Sequence, residues 1–235
     1  MRTVIREGCF ETNSSSMHNI TVLKKGGKSD AYDYDHTVRD GVLNMSYVDT
    51  PLDFGRIYNV YYTIVEKAAY AFASLGEECK DRIVDILKRN IPGVKFIIFN
   101  KDEKPILGDE NNNPIPREKA EWVGWGSEDS PESGYVYTDE NGIRHPLYTI
   151  GITEVDDLGG IDHQSMGLLK NFLKKHDVSL EDFITNSKYI IVQDGDEYDI
   201  YRKELRSHII DTDRIEYIHS GDGIDRTVAE FLDGD

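Results

Sequence analysis

Tyr58-Asn59-Val60-Tyr61-Tyr62-Thr63-Ile64-Val65-Glu66-Lys67-Ala68-Ala69-Tyr70-Ala71-Phe72 carries the clearest helical pattern in the chain. Tyr58, Tyr61, Tyr62, Val65, Ala68, Ala69 and Phe72 recur at three- and four-residue intervals, the spacing that lines one face of an α-helix. A helix is predicted over roughly 53–74, with Gly76 as its stop. A second helix is predicted from about Glu77 to Asn90, where Cys79, Ile83, Ile86 and Leu87 share a face before Pro92-Gly93. Val94-Lys95-Phe96-Ile97-Ile98-Phe99 follows, an apolar run of strand length.

Outward from this block, strands and helices alternate without a regular βαβ rhythm. Strands are predicted at Thr3-Val4-Ile5, Ile20-Thr21-Val22-Leu23, Tyr189-Ile190-Ile191-Val192 and Arg214–His219. A hairpin is predicted from Tyr135-Val136-Tyr137-Thr138 to Ile143-Arg144-His145, turning at Glu140-Asn141-Gly142. Helices are predicted around Met166–Lys175, after a capping signal at Ser179-Leu180-Glu181-Asp182, and from about Ile224 to Leu232. Residues 30–50 read as either strand or loop. Residues 100–134 read as a long polar loop region, dominated by Asp109–Pro114 and Ser127–Gly134. The expectation is a single α+β domain over 1–235, a mixed or antiparallel sheet with helices packed on it.

Composition narrows the class. At 235 residues, with 38% apolar and 30% charged residues, the chain can bury a sizeable core. It contains no apolar run of about 18 residues and no signal core, so neither membrane span nor secretion is expected. Cys9 and Cys79 lack zinc or redox spacing, and the cytosol is the expected compartment. A net charge of −17 repels phosphate backbones, so direct nucleic-acid binding is not expected.

The densest polar chemistry is Phe10-Glu11-Thr12-Asn13-Ser14-Ser15-Ser16-Met17-His18. Hydroxyls and backbone N–H groups here could hold a phosphate or another polar ligand, with Glu11, Asn13, Ser14, Ser15 and Ser16 as binding groups and His18 available for proton transfer. The plainer reading is a self-satisfied turn that leaves His18 exposed. A second island, Asp162-His163-Gln164-Ser165, follows Gly159-Gly160. It offers His163 and Asp162 as catalytic groups and Ser165 as a ligand contact, or else merely a helix cap. A third, Asp194-Gly195-Asp196, ends a strand and is either a metal-binding carboxylate pair, Asp194 with Asp196, or an acidic turn. The sequence identifies no cofactor, and a divalent metal is the one candidate. There is no P-loop, dinucleotide-binding fingerprint or His-Glu-x-x-His helix.

The order of these islands, led by Gly8-Cys9-Phe10-Glu11-Thr12-Asn13-Ser14-Ser15-Ser16-Met17-His18, resembles a group of uncharacterised proteins of tailed bacteriophages and prophages. That group often has Glu where this chain has Gln164. The resemblance implies a viral or mobile-element origin and brings no activity with it. The leading expectation is an accessory protein acting in the infected cell, with His18, Asp162 and His163 converging on a small polar or phosphorylated ligand, as binder or as enzyme. The alternative is an acidic protein or nucleic-acid mimic that occupies a basic host defence protein, motivated by the −17 charge.

Overall fold

In the computed structural model, which describes residues 17–24, 38–45, 58–99, 102–124, 134–153, 167–194 and 199–233, the strand predicted at Ile20–Leu23 runs from Met17 to Leu23 (β1). Every residue of it except Met17 is buried. A strand buried on both faces needs a packed layer on each side, and the fold supplies two. β1 is the middle strand of a five-stranded antiparallel sheet. Tyr189–Asp194 (β10) flanks it on one side, followed by Asn59–Tyr61 (β4), and Ile215–His219 (β11) flanks it on the other, followed by Asp225–Arg226 (β12).

On one face, Ile20, Val22, Tyr61, Tyr189 and Ile191 join the larger core with Ile64–Leu75 (α1), Lys80–Asn90 (α2), Leu168–Lys175 (α3) and Leu180–Thr185 (α4). On the other, Leu23, Val192 and Ile218 pack a smaller core with Tyr201 and Leu205 of Ile200–Arg206 (α5) and Phe231 of Val228–Asp233 (α6). Two smaller sheets complete the described fold. One joins Val38–Arg39 (β2), Val42–Asn44 (β3) and Phe96–Ile98 (β5); the other joins Pro105–Gly108 (β6), Ala120–Trp122 (β7), Tyr135–Thr138 (β8) and Arg144–Ile152 (β9). The chain is an α+β fold. Among the described residues no helix is long and apolar enough to cross a membrane.

Three local readings change. The first predicted helix starts at Ile64, not near 53, because Thr63 caps it: its Oγ1 accepts from the Glu66 amide and the Glu66 carboxylate accepts from the Thr63 amide. Asn59–Tyr61 ahead of the cap is strand. Within the polar stretch read as loop, β6 and β7 form. Between them the Asp109 carboxylate accepts from the Asn111 and Asn113 amides and folds its acidic run into a tight turn. Near the C-terminus the predicted helix over 224–232 divides into β12 and α6.

Among the polar residues buried with the larger core is a lysine. Lys67 lies on the buried side of α1, 1% exposed, and donates to the Asn186 carbonyl at the end of α4 (2.7 Å). Burial lowers its pKa to about 7, against the opposing pull of Asp182.

Candidate functional site

Of the residues singled out in sequence, His18 and Asp194 fall within the described structure. Glu11, Asn13, Ser14, Ser15, Ser16, Asp162, His163, Ser165 and Asp196 lie outside it. His18 is not the exposed end of a turn. It is the second residue of β1, 1% exposed, with Nδ1 3.3 Å from the Tyr70 hydroxyl of α1. It lies opposite Gln193 of β10, whose Oε1 accepts from the Tyr61 hydroxyl (2.7 Å). The three serines therefore lead directly into a strand whose first buried side chain is an imidazole in a row of hydrogen-bonded polar groups. Such buried groups persist because each is satisfied internally.

Asp194 faces the opposite side of the sheet. Its carboxylate oxygens accept from the Ile200 and Tyr201 amides (3.3 and 3.1 Å), so it anchors the first turn of α5.

Among the described residues, the strongest concentration of titratable groups lies on the His18 side of the sheet, one strand over. Strand alternation puts Tyr217 and His219 of β11 on one face, and His219 pairs with Asp225 of β12. α3 ends against them at His176, with Lys175 in its last turn. The Asp225 Oδ1 atom lies 2.6 Å from His219 Nδ1 and 3.2 Å from His176 Nε2, while Oδ2 lies 2.8 Å from Lys175 Nζ. His176 Nδ1 sits 3.2 Å from the Tyr217 hydroxyl.

An ionised carboxylate only accepts, which fixes the tautomers. His219 carries its hydrogen on Nδ1 and His176 on Nε2, and Tyr217 donates to His176 Nδ1. His219 Nε2 is then left bare. It is buried without a hydrogen-bond partner, on a side chain with no exposure. Phe172 and His176 pack edge-on against that ring at 5.3 and 5.7 Å.

The electrostatics follow from this packing. Burial pushes His219 below its ordinary pKa, against the attraction of Asp225. Burial would raise the Asp225 carboxyl, but Lys175 and His219 hold it below the usual carboxylate range. Burial, with the Asp225 charge behind it, pushes Tyr217 up to about 12. The cluster is thus a carboxylate orienting two imidazoles, of which burial disfavours the charged form of His219. His176, its side chain 20% exposed, is the imidazole that solvent reaches. Such a group can exchange a proton with a bound molecule or hold a cation.

The cluster also lies close to His18. Ile20 of β1 pairs with His219, and His18 is two residues along the same face, a diagonal step of roughly 7–8 Å between Cα atoms. Gly221, in the turn after β11, packs there against the His18 carbonyl: a Cβ at that glycine would lie 3.3 Å from the oxygen. The imidazole of the N-terminal island and the imidazole cluster thus share one region of one sheet face.

Sequence reading missed Lys175, His176, Tyr217, His219 and Asp225. The available signal was the alternation of Tyr217 and His219 in a strand already predicted there. Comparison with protein-family models, with curated proteins and with solved structures returns no match.

Proposed function

We propose that this chain is a bacteriophage or prophage accessory protein that acts in the infected bacterial cell by binding a small polar or phosphorylated ligand. The ligand would meet the His176–Asp225–His219 cluster, with the N-terminal Glu11–Ser16 run as a second contact. The observation that carries the binding reading is His219: an imidazole oriented by a carboxylate, fully buried, with one ring nitrogen unpaired. Buried polar atoms are nearly always satisfied, so an exception marks a place where something other than stability set the residue. Beside it, Lys175 is a part-exposed cation that contacts Asp225 and the Gly223 carbonyl and keeps a third hydrogen for an anionic or hydroxyl-rich molecule. An imidazole held by a carboxylate also gives such a site the means to move a proton.

The test is thermal melting and calorimetric titration of EDTA-treated protein with inorganic phosphate and a set of nucleoside monophosphates. A saturable rise in melting temperature with at least one probe is expected in the wild type. It should be lost in a folded His176→Gln variant and weakened in Asn13→Ala/Ser15→Ala. The absence of any shift at millimolar concentration, or an undiminished shift in His176→Gln, would refute the reading. If Asn13→Ala/Ser15→Ala lowers the melting temperature and leaves binding unchanged, the serine run braces the fold and is not part of the site.

A further inference from the structure

We infer that His176, His219 and Asp225 form a binding site for a divalent transition-metal ion, zinc or iron(II) in class. This rests on the cluster being the ligand site and names the cofactor through which it works. One donor atom from each residue lies within 4.8 Å of the other two, on three elements: the end of α3, the end of β11 and the start of β12.

The present contacts are short enough to convert. Bonds of about 2.0–2.2 Å to nitrogen and oxygen ligands place neighbouring donors roughly 3.0–3.5 Å apart. Seating an ion would therefore open the 2.6 Å His219–Asp225 contact by several tenths of an ångström and leave the 3.2 Å His176–Asp225 separation nearly unchanged. Two imidazoles and one carboxylate favour zinc or iron over magnesium or calcium, which prefer all-oxygen shells. Three protein ligands leave coordination positions open, the arrangement of sites that present a bound water or substrate.

Two features of the surroundings point the same way. The Tyr217 hydroxyl contacts His176 Nδ1, the position of an outer partner: with Nε2 on an ion, the ring hydrogen sits on Nδ1 and the Tyr217 oxygen accepts it. The cluster also sits at the C-terminal end of α3, whose dipole favours positive charge. Lys175 now occupies Oδ2 of Asp225 as the competing cation.

The experiment titrates the purified full chain with zinc, cobalt(II) and magnesium ions, following melting temperature and, for cobalt, visible absorption. Zinc should raise the melting temperature at micromolar concentration and magnesium should not. Cobalt should develop visible bands of a low-symmetry nitrogen–oxygen site. His176→Gln and Asp225→Asn, both checked for folding by circular dichroism, should weaken zinc binding at least tenfold. Tyr217→Phe should weaken it by a smaller factor, and Lys175→Met should leave it equal or tighter. The inference is overturned if neither zinc nor cobalt gives a saturable signal, or if folded His176→Gln and Asp225→Asn bind as the wild type does. Phosphate and nucleotide titrations of EDTA-treated protein separate the two proposals: anion binding without metal binding overturns the metal site alone, and loss of both overturns the cluster as a ligand site.

Discussion

Replacing Lys67 by Met should flatten the pH dependence of stability between pH 7 and pH 9. Lys67 titrates near 10.5 in an unfolded chain and at about 7 in the folded one. Between those values the unfolded state holds a proton that the native state lacks, so unfolding free energy rises with pH across the window. The cost of burying this amine is largest below pH 7, where it is charged in both states, and falls by about 2 kcal/mol between pH 7 and pH 9. Lys67→Met removes that term and also removes the donor to the Asn186 carbonyl, a pH-independent loss of about 1–3 kcal/mol. Near pH 7 the loss is smaller than the roughly 4 kcal/mol released by deleting the buried amine, so the variant should be the more stable protein. By pH 9 the two should be nearly equal. Cys79, which burial pushes to about 11, acts with the opposite sign from about pH 9 upward and is common to both proteins. Urea unfolding at pH 7, 8 and 9 measures the difference directly. Equal slopes in wild type and variant, or a variant less stable at pH 7 than at pH 9 relative to wild type, would refute the reasoning.

Asp194→Ala strips the acceptor from the first turn of α5 and should cost about 2 kcal/mol in chemical denaturation, with Asp194→Asn losing less because one oxygen remains. Its metal affinity, measured with cobalt, should match the wild type, since Asp194 serves α5. Gly108→Ala would place a Cβ 2.8 Å from Ile150 Cδ1 and 3.0 Å from the Asn113 carbonyl. The side chain can yield and the turn backbone cannot, so a loss of about 1–3 kcal/mol is expected in a thermal melt.

Much of the fold was legible because its cues are local. The Ile83, Ile86 and Leu87 face, the Ser179 cap and the alternating hairpin at 135–145 all form where periodicity and turn chemistry put them. Asn59–Tyr61 reads as helix in the sequence because tyrosines at helical spacing continue the pattern of α1, while the Thr63 cap that separates strand from helix depends on Glu66 reaching back. α5 went unpredicted, although Asp199 caps it and Tyr201 and Leu205 share its buried face. The candidate site was less legible still. Lys175-His176, His219 and Asp225 are scattered among ordinary neighbours, and only antiparallel pairing of β11 with β12 and the docking of α3 bring them together. The N-terminal island drew attention through composition, yet its described member, His18, is held inside the core by Tyr70.

The position of β1 also constrains how the protein is made. Its partners are β10 and β11, so the middle of the central sheet cannot close until the ribosome has passed Tyr189 and then Ile215. At about 5–20 residues per second that is a wait of roughly 10–40 s. Throughout it Ile20, Val22 and Leu23 remain an unpaired apolar strand, while α1 and α2 have already been synthesised. A chain with such distant pairings folds late and slowly.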